Sequence, residues 1–307
     1  MMHPSPSEHT RLLNVVIALH TPGRNWPAPL CDLDYELLTV EEEFNVGNLG
    51  ARPCNPDVVS RNDAESIVLL VECKGGRSLD QKQLETYLSV RPSDVRLLAT
   101  VSNPNKLGVK MLYSASSFND FSEDMSAKLE DIVRTKSVPD APKELDILEL
   151  TPSLVRVHST DPTWGTELLS GIRIAEDTYP NWFYPFSKDD SSEWKLLYVV
   201  RSLLHIILTT NPINPNQITV TTDQIVQDLY EAYSYISSRH RGELRGEIEK
   251  CFNRLLREPK MRGLIGRLGT RGRPVSIKDI ENARKALQRL AREIAEGQAQ
   301  TEVEDFG

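Results

Sequence analysis

Short, nearly continuous apolar runs mark the first half of the chain, and longer runs with helical spacing mark the second. Residues 66–73 (SIVLLVEC) are almost all apolar and rich in β-branched side chains, which predicts a strand covered on both faces. A shorter run at 56–60 (PDVVS) predicts a partner strand, and the polar RNDAE between them a turn. Ahead of this pair, Leu37, Leu38 and Val40, followed by Glu41, Glu42 and Glu43, predict a helix over 34–45. Residues 1–10 read as a frayed tail. Beyond the pair, the pattern predicts a helix over 80–90 with Asp80 as its N-cap, strands at 95–101 and 108–114, an amphipathic helix over 118–136 and a last strand at 145–150. Helix, strand, strand, helix, strand is an α/β arrangement.

From residue 191 the spacing is helical. Helices are predicted over 191–210, 222–237, 241–257 and 276–295. Ile225, Leu229, Tyr233 and Ile236 share one face, as do Leu244, Ile248, Phe252 and Leu255. Ile280, Ala283, Leu287, Leu290 and Ile294 approach a heptad seam, which could pack internally or pair with a second copy of the chain. The division predicted is an α/β domain over 1–155 and a mainly helical domain over 156–307.

The chemistry-bearing stretch is NPDVVSRNDAESIVLLVECKGG. Side chains two apart on a strand share a face, so Glu72 and Lys74 point the same way and Cys73 the other. If the two strands form a hairpin, Asp57 comes to lie beside Glu72. Two carboxylates and a backbone carbonyl, that of Cys73, make a hard oxygen site suited to Mg²⁺. A lysine beside it can orient an attacking water and balance charge on a phosphate, the minimum for metal-assisted phosphodiester hydrolysis. An acid-x-Lys tripeptide alone is uninformative, since Asp80, Glu193 and Glu258 also start one. Glu72 alone combines a buried strand, a preceding Pro-Asp and a following helix.

Pro56-Asp57 with Glu72-x-Lys74 resembles the PD-(D/E)XK nuclease superfamily, and Gln83 with Tyr87 is similar to the Gln-x-x-x-Tyr motif of its RecB-like branch. The resemblance covers about residues 34–115. It implies a restriction-endonuclease-like core, a mixed sheet flanked by helices, and Mg²⁺-dependent DNA hydrolysis with Mn²⁺ as a substitute. It places Gln83 and Tyr87 near the scissile phosphate and the active-site strand, on the substrate side of the pocket, and adds an upstream acid from the first helix. Glu43 is the first choice for that acid, with Glu42 and Glu36 as competitors. His20, after an apolar run, is read as structural rather than as an extra ligand. Restriction, phage defence and DNA repair are the settings implied. A non-catalytic nucleic-acid-binding subunit on a degenerate nuclease scaffold and an RNA-cleaving toxin are the rival readings.

Charge adds a second feature. The chain carries −8 overall, with 44 acidic against 36 basic residues, which advertises neither nucleic acid nor an anionic membrane as partner. Yet residues 236–275 hold 11 basic and 4 acidic side chains. Arg254, Arg257, Arg262, Arg267, Arg271 and Arg273 are the candidate nucleic-acid contacts, the last two in an Arg-Gly-Arg-Pro sequence similar to an AT-hook core. No phosphate-binding loop of the ATPase type is present, so any motor is expected on a partner chain. The longest apolar run, 196–208, is too short to span a bilayer. The four cysteines lack metal or disulfide spacing, and no secretory signal is visible at the start. A cytoplasmic location is the expectation.

Overall fold

The computed structural model describes residues 6–23, 26–47, 52–75, 80–136, 145–174, 180, 183–210, 217–268 and 274–304. The chain divides into two compact units, residues 11–181 with 235–237, and residues 1–10, 182–234 and 238–307.

The first unit is α/β. After helix α1 (Glu8–His20) and the single turn α2 (Pro29–Asp32), strands β1 (Tyr35–Val40), β2 (Phe44–Val46), β3 (Arg52–Cys54), β4 (Val58–Asn62) and β5 (Ile67–Lys74) follow. Helices α3 (Gln81–Leu88) and α4 (Pro92–Val95) lead to β6 (Gly108–Ala115), α5 (Phe118–Lys136), β7 (Asp146–Thr151), β8 (Leu154–His158), α6 (Gly165–Ser170) and β9 (Ile172–Arg173). Seven strands form one mixed sheet in the order β1-β4-β5-β6-β7-β8-β9, which continues past residue 155. β5, β6 and β7 are parallel, and the other neighbours are antiparallel. β2 and β3 pair separately.

The all-apolar β5 lies inside this sheet, buried from Val68 to Cys73, as its composition requires. On one face α3 and α5 cover it through Leu84, Tyr87, Phe121, Met125, Leu129 and Ile132, packed with Val68, Leu70 and Tyr113. On the other, α1 reaches the sheet where His20 meets Ser60 of β4 at 2.9 Å.

Two expectations for this unit are corrected. Residues 34–45 are strands rather than a helix. Tyr35 and Leu37 are buried with Glu36 exposed between them, a period of two, and Asp34 and Glu41 adopt φ of 62° and 56°. The leading helix is instead α1, which begins inside the presumed tail. Residues 95–101 form no strand either. Pro92 opens α4, Val95 and Ala99 are buried four apart, and Leu97 is 97% exposed. β6 therefore pairs with β5 directly.

The second unit is mainly helical: α7 (Ser192–Thr209), α8 (Thr222–Leu229), α9 (Ser238–Arg257) and α10 (Ile280–Glu304). A small antiparallel sheet joins β10 (Gln217–Val220), β11 (Ile265–Arg267) and β12 (Val275–Lys278) in the order β10-β12-β11. Ala283, Leu287, Leu290 and Ile294 are buried and α10 packs on α7, so the expected seam is used inside the chain. The helix expected from 276 starts at Ile280, because β-branched Val275 and Ile277 are buried in β12 and Asp279 turns the chain with φ 49°. The helix expected to 237 ends at Leu229, where Tyr230 is buried with its hydroxyl on the Phe186 carbonyl at 2.8 Å. Among the described residues, no helix is long and apolar enough to cross a membrane.

Candidate active site

The β4–β5 hairpin places the site. Its last ladder pair is Val58 with Val71, and one residue further on each strand come Asp57 and Glu72. Beyond that pair β4 no longer occupies the edge of β5, and the Cys73 N–H donates to Asp57 Oδ2 at 2.5 Å. A residue's N–H and C=O point to the same side of an extended strand, so the Cys73 carbonyl faces this edge too. Asp57 and Glu72 are 5% and 4% exposed, burial that carboxylates tolerate only with partners.

Helix α3 supplies those partners because Asp80 caps it, accepting from the Gln83 N–H at 2.9 Å, and so fixes where its first turn starts. Gln83 and Tyr87, four apart, then share the face turned to β5. Gln83 Nε2 donates to Glu72 Oε1 at 2.8 Å, and Gln83 Oε1 accepts from Lys74 Nζ at 2.6 Å. Lys74 Nζ also lies 2.6 Å from Glu72 Oε1. The Tyr87 hydroxyl reaches Glu72 Oε2 and, at 2.9 Å, the Asn55 carbonyl. Tyr87 is 2% exposed, and its hydroxyl holds Glu72 on β5. Gln83 likewise fixes Glu72 and Lys74 relative to each other.

The acid that comes to lie beside Asp57 is Glu41, not Glu43, Glu42 or Glu36. Glu41 follows the end of β1, its N–H donates to the Asp57 carbonyl at 2.8 Å, and carboxylate oxygens of the two residues lie within 4.8 Å of each other. Residues 235–237 hold this turn: Val40 N–H donates to Tyr235 O, Ser237 N–H to Val40 O, and Ser237 Oγ to Glu41 O at 2.6 Å. Glu43 is exposed, Glu42 accepts from Thr39 Oγ1, and Glu36 pairs with Arg61 at 2.6 Å. The sequence signal for Glu41 is its place just after β1, which a helix over 34–45 hides.

Electrostatics follow from the crowding. Burial holds the Asp57 carboxyl well above its usual range, and the Glu72 and Glu41 carboxylates push it further. The Cys73 N–H and Lys74 offset part of this. Burial, then Glu72, also drives the Tyr87 hydroxyl up. Asp57 and Glu41 bring carboxylate oxygens within 4.8 Å of each other, and Glu72 and the Cys73 carbonyl on β5 add oxygens of the kind a hard divalent cation takes. His20 takes no part: its ring nitrogens meet Val16 O at 2.8 Å and Ser60 Oγ at 2.9 Å, and burial lowers it to about 4.

The basic segment is largely neutralised within its own unit. Arg254 pairs with Glu193 at 2.9 Å and Arg267 with Glu249 at 2.7 Å. Arg245 meets Asp223, Lys250 meets Glu247, Arg239 meets Glu243, and Lys260 meets Glu293. Arg257 and Arg262 are exposed, and Arg271 and Arg273 lie outside the described residues.

Residues 8–157 match the family model of the MJECL32 domain. Over 161 residues the chain is 26% identical to a protein of Methanocaldococcus jannaschii described as uncharacterized protein MJECL32, covering 50% of this chain. The chain spans about a third of the length of that relative, 34%. No solved structure matches the chain. The span similar to the MJECL32 domain runs from the start of α1 to β8 and contains Glu41, Asp57, Glu72, Lys74, Gln83 and Tyr87.

Proposed function

We propose that the chain is a metal-dependent nuclease acting on DNA phosphodiester bonds. The observation that carries this reading is the convergence of Asp57, Glu72 and Lys74 at one end of the β4–β5 hairpin, with Glu41 beside them. The resemblance to the PD-(D/E)XK superfamily agrees with it. β4, β5, α3 and β6 keep the strand, strand, helix, strand part of the expected order, with the single turn α4 before β6, while the helix expected at 34–45 is strand.

Asp57, Glu72, Glu41 and the Cys73 carbonyl are the groups that would hold Mg²⁺ or Mn²⁺. When bound, the cation supplies charge stabilisation at the phosphoryl oxygens. Lys74 lies beside the Glu72 carboxylate, where it orients a water and balances phosphate charge. Gln83 and Tyr87 keep Glu72 from turning away, so the donor set is preorganised.

Purified full-length protein incubated with supercoiled plasmid, linear duplex and single-stranded RNA is the test. Nicking or degradation of DNA with Mg²⁺ or Mn²⁺, stopped by EDTA and reduced at least ~100-fold in Lys74→Ala, supports the reading. Cleavage that survives in both Lys74→Ala and Asp57→Ala overturns it. Cleavage of RNA alone replaces DNA with the RNA-cutting alternative.

A further inference from the structure

Pairing in the helical unit leaves some cations without an acid, and four of them lie on elements joined by one contact. Most basic side chains of 239–267 close on acids, several from outside the segment: Asp223, Glu193 and Glu293. Arg257, at the end of α9, and Arg262, after the 3-10 turn Pro259–Met261, are exposed with no ion pair among the described residues. The same holds for Arg289 and Arg292 on α10.

One contact joins the two pairs. Lys260, between Arg257 and Arg262, closes on the carboxylate of Glu293, which lies next to Arg292 and one helical turn beyond Arg289. The 3-10 turn packs against α10 at this point. Five cations, with Glu258, Glu293 and Glu296 as the acids beside them in sequence, therefore lie on the segments that this contact joins, in a chain whose overall charge is −8.

We infer that Arg257, Arg262, Arg289 and Arg292 form a docking surface for a nucleic-acid phosphate backbone. Arginine's planar fork suits phosphate oxygens, and four on one surface suit a repeating anion better than a single one. A membrane is the poorer partner. Amphipathic binding needs a face of exposed apolar groups beside the cations, and the exposed large hydrophobics among the described residues, Leu97, Leu208, Tyr235 and Leu268, are scattered singly along the chain. The inference goes beyond the hydrolytic reading and does not depend on it.

The experiment measures binding of full-length protein to a 30-base-pair fluorescent duplex in EDTA, from 50 to 200 mM salt. The proteins are wild type, the quadruple variant Arg257→Gln/Arg262→Gln/Arg289→Gln/Arg292→Gln, and a control of equal charge, Arg96→Gln/Lys106→Gln/Arg173→Gln/Lys278→Gln. Each phosphate contact contributes about 0.9 to the slope of log affinity against log salt. Wild type should thus lose about 100-fold more affinity over this range than the quadruple variant, with the control following wild type. Thermal melts should superimpose, because all substituted side chains are exposed.

Equal slopes for wild type and quadruple variant overturn the inference, as does a control that loses as much. Wild type that ignores DNA at 50 mM but binds phosphatidylserine vesicles overturns it in favour of a membrane partner. Binding through these arginines with no cleavage in Mg²⁺ upholds this surface and overturns the nuclease reading alone.

Discussion

The Glu41 N–H donates to the Asp57 carbonyl at 2.8 Å, and carboxylate oxygens of the two residues lie within 4.8 Å. Backbone and side chains are thereby coupled at one point. A turn with φ 56°, held by residues 235–237, brings an acid from the end of β1 to the acid that precedes β4. Positive φ at a non-glycine residue is costly and survives where surroundings enforce it.

The first prediction concerns this pair. In wild type, Mg²⁺ or Ca²⁺ at ten times its dissociation constant should add about 1.4 kcal/mol of stability, a rise of a few degrees in melting temperature. Glu41→Gln should lose most of that gain, and Glu43→Gln, which removes the same charge from an exposed position, should keep it. Differential scanning fluorimetry with and without cation decides. Equal behaviour of the two variants would remove Glu41 from the site.

Tyr87→Phe tests the other side of the cluster. The ring packs edge-on to Tyr113 at 6.1 Å and would stay, but Asn55 O and Glu72 Oε2 lose the hydroxyl. Leaving buried acceptors short of a donor costs about 1–3 kcal/mol. Denaturant melts should show that loss, and any nuclease activity should fall in kcat with KM little changed. A variant of wild-type stability with raised KM would return Tyr87 to the substrate side.

Much of this site was legible from residue types. The β5 run is so apolar that only a strand covered on both faces accommodates it, and the alternation then puts Glu72 and Lys74 together. Gln83 and Tyr87 were legible as a pair by helical spacing, with the active-site strand as the neighbour the resemblance implies, but the atoms they meet there were not. Direction depends on how α3 is set against the sheet, which the Asp80 cap and the α3 core residues decide. Residues 34–45 misled because Leu37, Leu38 and Val40 suit either period, and Glu41 was lost with them. The arginines misled differently: counting charge within 236–275 cannot see Glu193, Asp223 and Glu293 arriving from elsewhere.

A glycine fixes the junction of α6 and the last strands of the sheet. Gly171 has φ 95°, and a Cβ there would sit 2.8 Å from Leu154 Cδ1. Gly171→Ala should therefore destabilise the protein by on the order of 2 kcal/mol from the backbone alone, with the clash added. In a Leu154→Ala background the alanine should cost less, a non-additivity that thermal melts of the four proteins resolve. Strict additivity would mean that Leu154 yields freely.

The last prediction is a pH dependence with two opposing parts. His20 is buried with its neutral ring satisfied by Val16 O and Ser60 Oγ, and burial lowers its pKa from 6.5 to about 4. Between those values the unfolded chain binds the proton more readily than the folded one, so stability is full above pH 6.5 and falls as pH drops toward 4. The loss is about 3.5 kcal/mol at most, from about 1.4 kcal/mol for each pK unit. Asp57 works in the other direction. Its carboxyl is raised, so the folded chain holds that proton more tightly, and stability declines as pH climbs above the ordinary carboxylate range. The two are separated by difference: wild type minus His20→Gln should slope between pH 6.5 and 4, whatever the fixed cost of the substitution, and wild type minus Asp57→Asn should slope the opposite way above pH 4. Parallel wild-type and His20→Gln curves across that window would mean that His20 takes up its proton without disturbing α1 or β4.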